Sequence, residues 1–251
     1  MIATDDLNAL LNAPEIEDLW DLHQRRMAQY GFDRLIYGAT RYRTANSLGD
    51  MEDFVILTNH GRDYTDVFLG EGLYFHAPMV KWALEHDGAC SWSVLRQMAE
   101  TGTLSAQERK VFEFNASKGV TAGYSISFRS VSPRTKGAIA LTAREGLAQE
   151  DVDAVWDEHG EDILAWNTIA HLRILSLPYT NPVRTLTMRQ REVLGWVGDG
   201  KTVQDIAILL GLTPATVEKH LRLARASLCV ETTAQAVLKA SFQNQMFTMD
   251  G

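Results

Sequence analysis

At 251 residues the chain is too long for one small domain and about right for two, and 45% hydrophobic residues are too many for a disordered chain. No apolar run is long enough to cross a bilayer, and the acidic start Thr4-Asp5-Asp6 lacks the basic-then-apolar pattern of a secretory signal, so a cytoplasmic protein without membrane contact is expected. The net charge of −8 argues against nucleic acid for the chain as a whole. Residues 184–251, however, hold eight basic and six acidic residues, which leaves −10 on residues 1–183, so only the C-terminal part suits a phosphate backbone. The two cysteines, Cys90 and Cys229, lie far apart, which predicts neither a disulfide nor a metal site.

In chain order, residues 15–30 bring Ile16, Leu19, Trp20, His23, Met27 and Tyr30 near one face of a helix. Residues 33–40 and 53–58 read as strands, and residues 71–86 and 105–117 as helices. Residues 123–128 alternate, residues 137–142 form a small apolar strand, and the turn around Ser132-Pro133 between them predicts a hairpin. Residues 149–177 form a long apolar-periodic helix. These elements predict an α+β domain over residues 1–176, a sheet flanked by helices in an α-β-α arrangement. Pro178 and Pro182 end the long helix and predict a linker over residues 177–183.

Residues 184–251 read as an all-α four-helix domain. Thr187 and Gln190 form a capping box for its first helix, and Gly200 stops that helix. Thr202 with Asp205 opens a second helix, Gly211 turns the chain, and Thr213 caps a third helix with Pro214 at its first position. Thr232 opens a fourth. In the third helix Val217, Leu221, Ala224 and Leu228 form a core stripe, and Ala215, Thr216, Glu218, Lys219 and Arg222 point away from it. A helix, a tight turn and a helix with a polar outer face form the helix-turn-helix arrangement, in which the second helix enters a major groove. Lys201, Thr202, Thr213, Thr216, Glu218, Lys219 and Arg222 are the expected DNA contacts. One small domain seldom makes enough phosphate contacts alone. A homodimer on a two-fold operator in double-stranded DNA is therefore expected, with surplus apolar residues of 149–177 at its interface.

The run Leu186-Thr187-x-Arg189-x-x-Glu192-Val193-Leu194-x-Trp196, with Gly200-Lys201-Thr202, Ile206-Ala207 and Leu210-Gly211-Leu212-Thr213-x-x-Thr216-Val217-x-x-His220-Leu221, resembles the LuxR-type DNA-binding domain. The match spans residues 184–240. Asn59-His60-Gly61-Arg62-Asp63-Tyr64, Phe68, Pro78-Met79-Val80, Ser91-Trp92-Ser93, Gly119-Val120, Gly123 and Gly137-Ala138 resemble the autoinducer-binding domain of quorum-sensing LuxR regulators, across about residues 15–175. The resemblance implies a buried pocket for an N-acyl-homoserine lactone. It implies that Tyr64 stands where a Trp usually bonds the lactone carbonyl and Phe68 where a Tyr touches the acyl amide. It also implies that Trp92 packs on the lactone ring and that Gly123 is the pocket glycine. Tyr74, Phe75 and Trp82 complete the expected aromatic wall.

Two positions depart from that family pattern. Ala77 stands where an Asp accepts the ligand's amide N–H, with His76 beside it as either a surface loop residue or a replacement acceptor, and Ala140 stands near the usual hydroxyl residue. A buried amide without its acceptor costs about 1–3 kcal/mol. The implied function is a DNA-binding transcription regulator controlled by a small apolar ligand, such as an atypical acyl-homoserine lactone. The alternative is a ligand-independent regulator or an inhibitory heterodimer partner. A phosphoreceiver lacks its carboxylate cluster here. No nucleophile elbow or paired zinc histidines occur, so no catalytic residue, metal or enzyme cofactor is expected.

Overall fold

The computed structural model describes residues 4–44, 47–179 and 184–246. Residues 180–183 of the expected linker and 247–251 of the expected C-terminal domain lie outside the described residues. The chain divides into two compact units, Met1–Ile174 and Leu175–Gly251.

The first unit opens with α1 (Thr4–Leu11) and α2 (Ile16–Gln29). The 3.6-residue stripe of α2 buries Ile16, Leu19, Trp20, His23 and Met27, as its periodicity predicts. Five strands follow: β1 (Phe32–Thr40), β2 (Val55–Thr58), β3 (Gly88–Ser91), β4 (Gly123–Phe128) and β5 (Lys136–Ala143). They form one sheet in the order β2-β1-β5-β4-β3, with every pair antiparallel. β4 and β5 pair from Gly123↔Thr142 to Phe128↔Gly137, which is the hairpin expected from the Pro133 turn. Helices α3 (Arg62–Thr65), α4 (Pro78–Glu85), α5 (Ser93–Glu100) and α6 (Ala106–Ser117) gather on one face, and α7 (Gln149–Ser176) packs on the other.

The helix expected over 71–86 is instead two pieces, a 3-10 turn at Leu73–His76 and then α4. Pro78 has no N–H to continue a helix and holds the preceding residue extended, and Ala77 sits at φ −73°, ψ 121°. Four elements carry no sequence signal strong enough to read: α1, the four-residue helix α3, the four-residue edge strand β3, and α5.

Strand alternation sorts the sheet by side-chain volume. Leu35, Tyr37, Ile126, Phe128, Ile139 and Leu141 are buried on the α7 side. There Tyr37 Oη hydrogen-bonds His171 Nδ1 at 2.8 Å, and Phe128 stacks on the same ring at 4.1 Å between centroids. Gly137 is required beneath it, because a Cβ at that position would run into the His171 imidazole. Gly38, Ser125, Ala138 and Ala140 occupy the opposite face and leave it hollow.

The second unit consists of α8 (Met188–Gly198), α9 (Val203–Leu210), α10 (Pro214–Ser227) and α11 (Thr233–Phe242). Capping boxes at Thr187/Gln190, Thr202/Asp205 and Thr232/Gln235 open α8, α9 and α11, and Thr213 caps α10 by accepting from Thr216 N–H. Gly200 at φ +82° and Gly211 at φ +64° make the left-handed turns. Val193, Leu194, Ile206, Val217, Leu221 and Leu228 form the core. Two of the eight basic residues counted toward a phosphate backbone are buried instead, Arg184 at 6% exposure and Lys239 at 7%. Lys239 reaches from α11 and donates to the Leu228 carbonyl at 2.8 Å, which neutralises the negative end of α10.

Two predictions follow from this packing. His23 accepts a hydrogen bond from Trp166 Nε1 at 3.1 Å, and burial lowers its pKa to about 3 against an opposing Asn167 hydrogen bond. Burial, helped by Arg41, lowers His171 to about 4, and burial with Arg34 lowers His60 to about 4. The native state holds these rings neutral, whereas the unfolded chain protonates them below its ordinary value of 6.5. Stability is therefore full above pH 6.5 and falls as the pH drops toward 4. Urea unfolding should show a loss of order 2 kcal/mol per buried histidine between pH 6.5 and 5. A flat profile over that window would mean that the rings titrate normally. In the second unit, Lys239→Met keeps the apolar stem and removes the donor. It should cost about 1–3 kcal/mol in urea unfolding, and an unchanged midpoint would assign the Leu228 bond no weight.

Candidate functional site

Between the hollow face of the sheet and helices α3 to α6 lies a cavity of about 360 Å³, a volume within the range of small-molecule sites. Its wall is predominantly apolar. α3 and the π-helical turn Asp66–Gly70 contribute Tyr64 and Phe68, α4 contributes Met79 and Val80, and α6 contributes Val111 and Asn115. Gly38, Ala138 and Ala140 form the floor. Among the described residues of the lining there is no aspartate or glutamate.

Aromatic stacking holds the wall together. Tyr64 lies between His60, at 4.4 Å between ring centroids, and Phe68, at 5.1 Å, with Phe114 at 5.4 Å. Burial, opposed by Arg34, raises the Tyr64 pKa, so the phenol stays protonated and donates to Asn115 Oδ1 at 3.1 Å. The Trp92 indole N–H donates to Ser125 Oγ at 2.9 Å and its backbone N–H to the Gly123 carbonyl. The ring therefore lies flat on β4. A Cβ at Gly123 would strike the Leu141 carbonyl and come within 3.0 Å of the Trp92 ring, so only glycine fits.

Of the sequence-expected ligand residues, Tyr64, Phe68, Tyr74, Ala77, Trp92 and Ala140 line this cavity. Phe75, Trp82 and Gly123 do not. Tyr74 and Phe75 both leave one 3-10 turn, but Tyr74 is buried while Phe75 is 63% exposed and stacks on the outside of Tyr74. α4 turns Met79, Val80, Ala83 and Leu84 inward, so Trp82 faces away and stacks on His86. Gly123 acts from behind, as the seat of Trp92. His76 is exposed and is not part of the lining, so it does not replace the missing acceptor at Ala77.

A polar knot ties this end of the sheet to α7. Asp153 accepts from Ser91 Oγ, Tyr124 Oη and Gln149 Nε2, each at 2.8–2.9 Å, and Gln149 also pairs with both backbone groups of Gly123. Burial works against the charge of Asp153, but these three donors outweigh it and hold its pKa below the usual carboxylate value. The glycine under Trp92 is thereby bonded directly to the start of α7.

In the second unit, α9, the Gly211 turn and α10 form the helix-turn-helix. Glu218, Lys219 and Arg222 stand exposed on the outer face of α10, and none of them forms an ion pair among the described residues. Lys201 is exposed before α9. The hydroxyls of Thr202 and Thr213 are occupied in caps: Thr202 accepts from Asp205 N–H and donates to its carboxylate at 2.7 Å, and Thr213 Oγ1 lies 2.9 Å from Thr216 Oγ1. These threonines fix where the two helices begin.

Comparison with known proteins decides what this pairing is. Residues 15–174 match the model of the autoinducer binding domain, and residues 184–240 match that of the bacterial regulatory proteins of the luxR family. The chain is a LuxR-type transcription regulator. It is 24% identical over 244 residues to the transcriptional activator protein AnoR of Acinetobacter nosocomialis, covering 94% of this chain and 95% of that one. It is 25% identical over 232 residues to a putative HTH-type transcriptional regulator of Sinorhizobium fredii, y4qH, covering 88% of this chain and 66% of that protein. Among solved structures it shares the fold of Escherichia coli SdiA in complex with octanoyl-rac-glycerol, with a TM-score of 0.51, 16% identity and 97% of each chain covered.

Sequence reasoning missed several cavity residues of this regulator: Gly38, Asn115, Ser125 and Thr142. Asn115 left a signal, since it falls four residues after Val111 on the inward stripe of α6. Gly38 left none until the sheet was assembled. A Cβ at Gly38 would meet nothing within 4 Å, because it would project into the cavity. Gly38→Leu should therefore fold with an equal or higher melting temperature, yet fill the site and abolish ligand-induced thermal stabilisation. A variant that folds and still responds to ligand would place the ligand elsewhere.

Proposed function

We propose that this LuxR-type regulator holds an apolar acyl compound with a small polar head in the cavity, an atypical N-acyl-homoserine lactone being one such compound. It then acts as a cytoplasmic homodimer that binds a two-fold operator in double-stranded DNA through α10. The observation that carries this reading is the 360 Å³ apolar-walled cavity in the same chain as an outward-facing Glu218/Lys219/Arg222 surface. The structural relative solved with octanoyl-rac-glycerol supports an acyl chain as the apolar part. On DNA, Arg222 and Lys219 would meet guanine edges or phosphates, Glu218 would accept from a cytosine amino group, and Lys201, Thr202, Thr213 and Thr216 would lie at the backbone. Two copies are needed because one α10 surface supplies few phosphate contacts.

Selection of bound sites from random duplexes, followed by titration, tests this proposal. Arg222→Ala should weaken the selected site by about 1–3 kcal/mol and relax one base position, whereas Lys219→Ala should weaken all sequences and lower the salt slope by about 1. Equal effects of both variants on specific and random DNA would remove base reading from α10. A monomer on the selected DNA by light scattering would remove the dimer.

A further inference from the structure

The cavity comes closest to solvent at one end. Among its described lining residues, only Arg96, Ala116 and Thr121 are exposed, and they come from α5, the last turn of α6 and the segment leading into β4. Helix α5 is a thin part of this wall. None of its eight residues is buried, yet it brings Leu95 and Arg96 to the lining. Its two flanks differ. In front, the chain is fixed at Trp92, whose indole and backbone N–H both bond to β4. Behind, Gly102 at φ +69° turns the chain toward α6. Arg96 Nη1 donates to Glu150 Oε1, in the first turn of α7, at 2.6 Å. Among the described residues this is the only hydrogen bond that an α5 side chain makes to another element. A helix with no buried residue and one such tie opens by local motion, well below the cost of unfolding the sheet.

From this arrangement we propose that α5 is the entry lid of the cavity, hinged between Trp92 and Gly102 and latched by the Arg96–Glu150 ion pair. The proposal rests on the cavity being the ligand site, and it goes further by naming the route into it. Opening parts the ion pair and withdraws Leu95 from the lining, while the floor of Gly38, Ala138 and Ala140 stays in place. Glu150 is not part of the lining, and the pair joins two pieces of protein, so the latch holds whether or not a ligand is inside. Loss of the latch therefore lowers the barrier to entry and to exit alike: both rates rise and the affinity stays level.

Stopped-flow tryptophan fluorescence of the full-length protein, with N-octanoyl-homoserine lactone and octanoyl-rac-glycerol as probes, tests the lid. Glu150→Ala leaves every lining residue in place and changes a side chain that is 72% exposed. Association and dissociation should both quicken about threefold, within what an exposed ion pair supports, with the Kd level. Raising the ionic strength from about 0.05 M to about 0.5 M should quicken the wild-type rates and leave those of the variant unchanged. Arg96→Glu combined with Glu150→Arg should restore slow exchange. Hydrogen exchange gives a reading that needs no ligand: Glu150→Ala should speed the amides of residues 94–100 and leave those of β4 unchanged. Unchanged ligand rates would put the route elsewhere and overturn the lid. A weaker affinity with an unchanged association rate would make Glu150 a support of the bound site and overturn it too. In either case the probes still bind, so the cavity stands as the ligand site. If neither probe binds, the lid and the acyl-ligand reading fall together.

Discussion

The period-2 alternation of the three central strands is the constraint on which the first unit depends. β1, β5 and β4 send most of their large side chains to one side and, apart from Ile36 and the threonines, mainly glycine, alanine and serine to the other. The large set, with Tyr37, Phe128 and Leu141, needs a long apolar partner, and α7 supplies it. The small set cannot fill the space under α3 to α6, so a void is left whose floor is Gly38, Ala138 and Ala140. Cavity and core are two faces of one sequence pattern. A one-residue slip in the register of β5 would exchange them.

What rings the void is held by hydrogen bonds and stacking more than by bulk. Tyr64 is pinned by three rings and by Asn115, and Trp92 is pinned by Ser125 and by the glycine beneath it. Gly123 is shared: its backbone also answers Gln149, and Gln149 and Asp153 anchor the first turns of α7. The aromatic ring at one end of the cavity and the helix behind the sheet therefore rest on the same residue.

The second unit is stabilised by different means. Each of its helices begins at a threonine whose side chain satisfies an orphan N–H, and two left-handed glycines set its turns. With its start sites held locally, a core of small and medium aliphatic residues suffices to lock α10 with its outer face clear. Lys239 illustrates how charge counting misleads in so small a unit: a cation counted for DNA is spent on a helix end inside the protein.

These differences explain what could be read before the structure was known. Capping boxes, the Gly200 and Gly211 turns, and the Val217–Leu221–Ala224–Leu228 stripe act within a few residues of one another, so the sequence alone determined the four-helix unit and which face of α10 is outward. Periodicity likewise determined α2, the β4–β5 hairpin and α7. Tertiary structure decided the rest. Which of Tyr74 and Phe75 turns inward, and that Trp82 lies outside, depends on how the chain leaves Gly72 and enters α4 at Pro78. The space beside Gly38 exists only once β1 lies against β5 and the helices close over them, since an empty space is a property of neighbours far away in the chain.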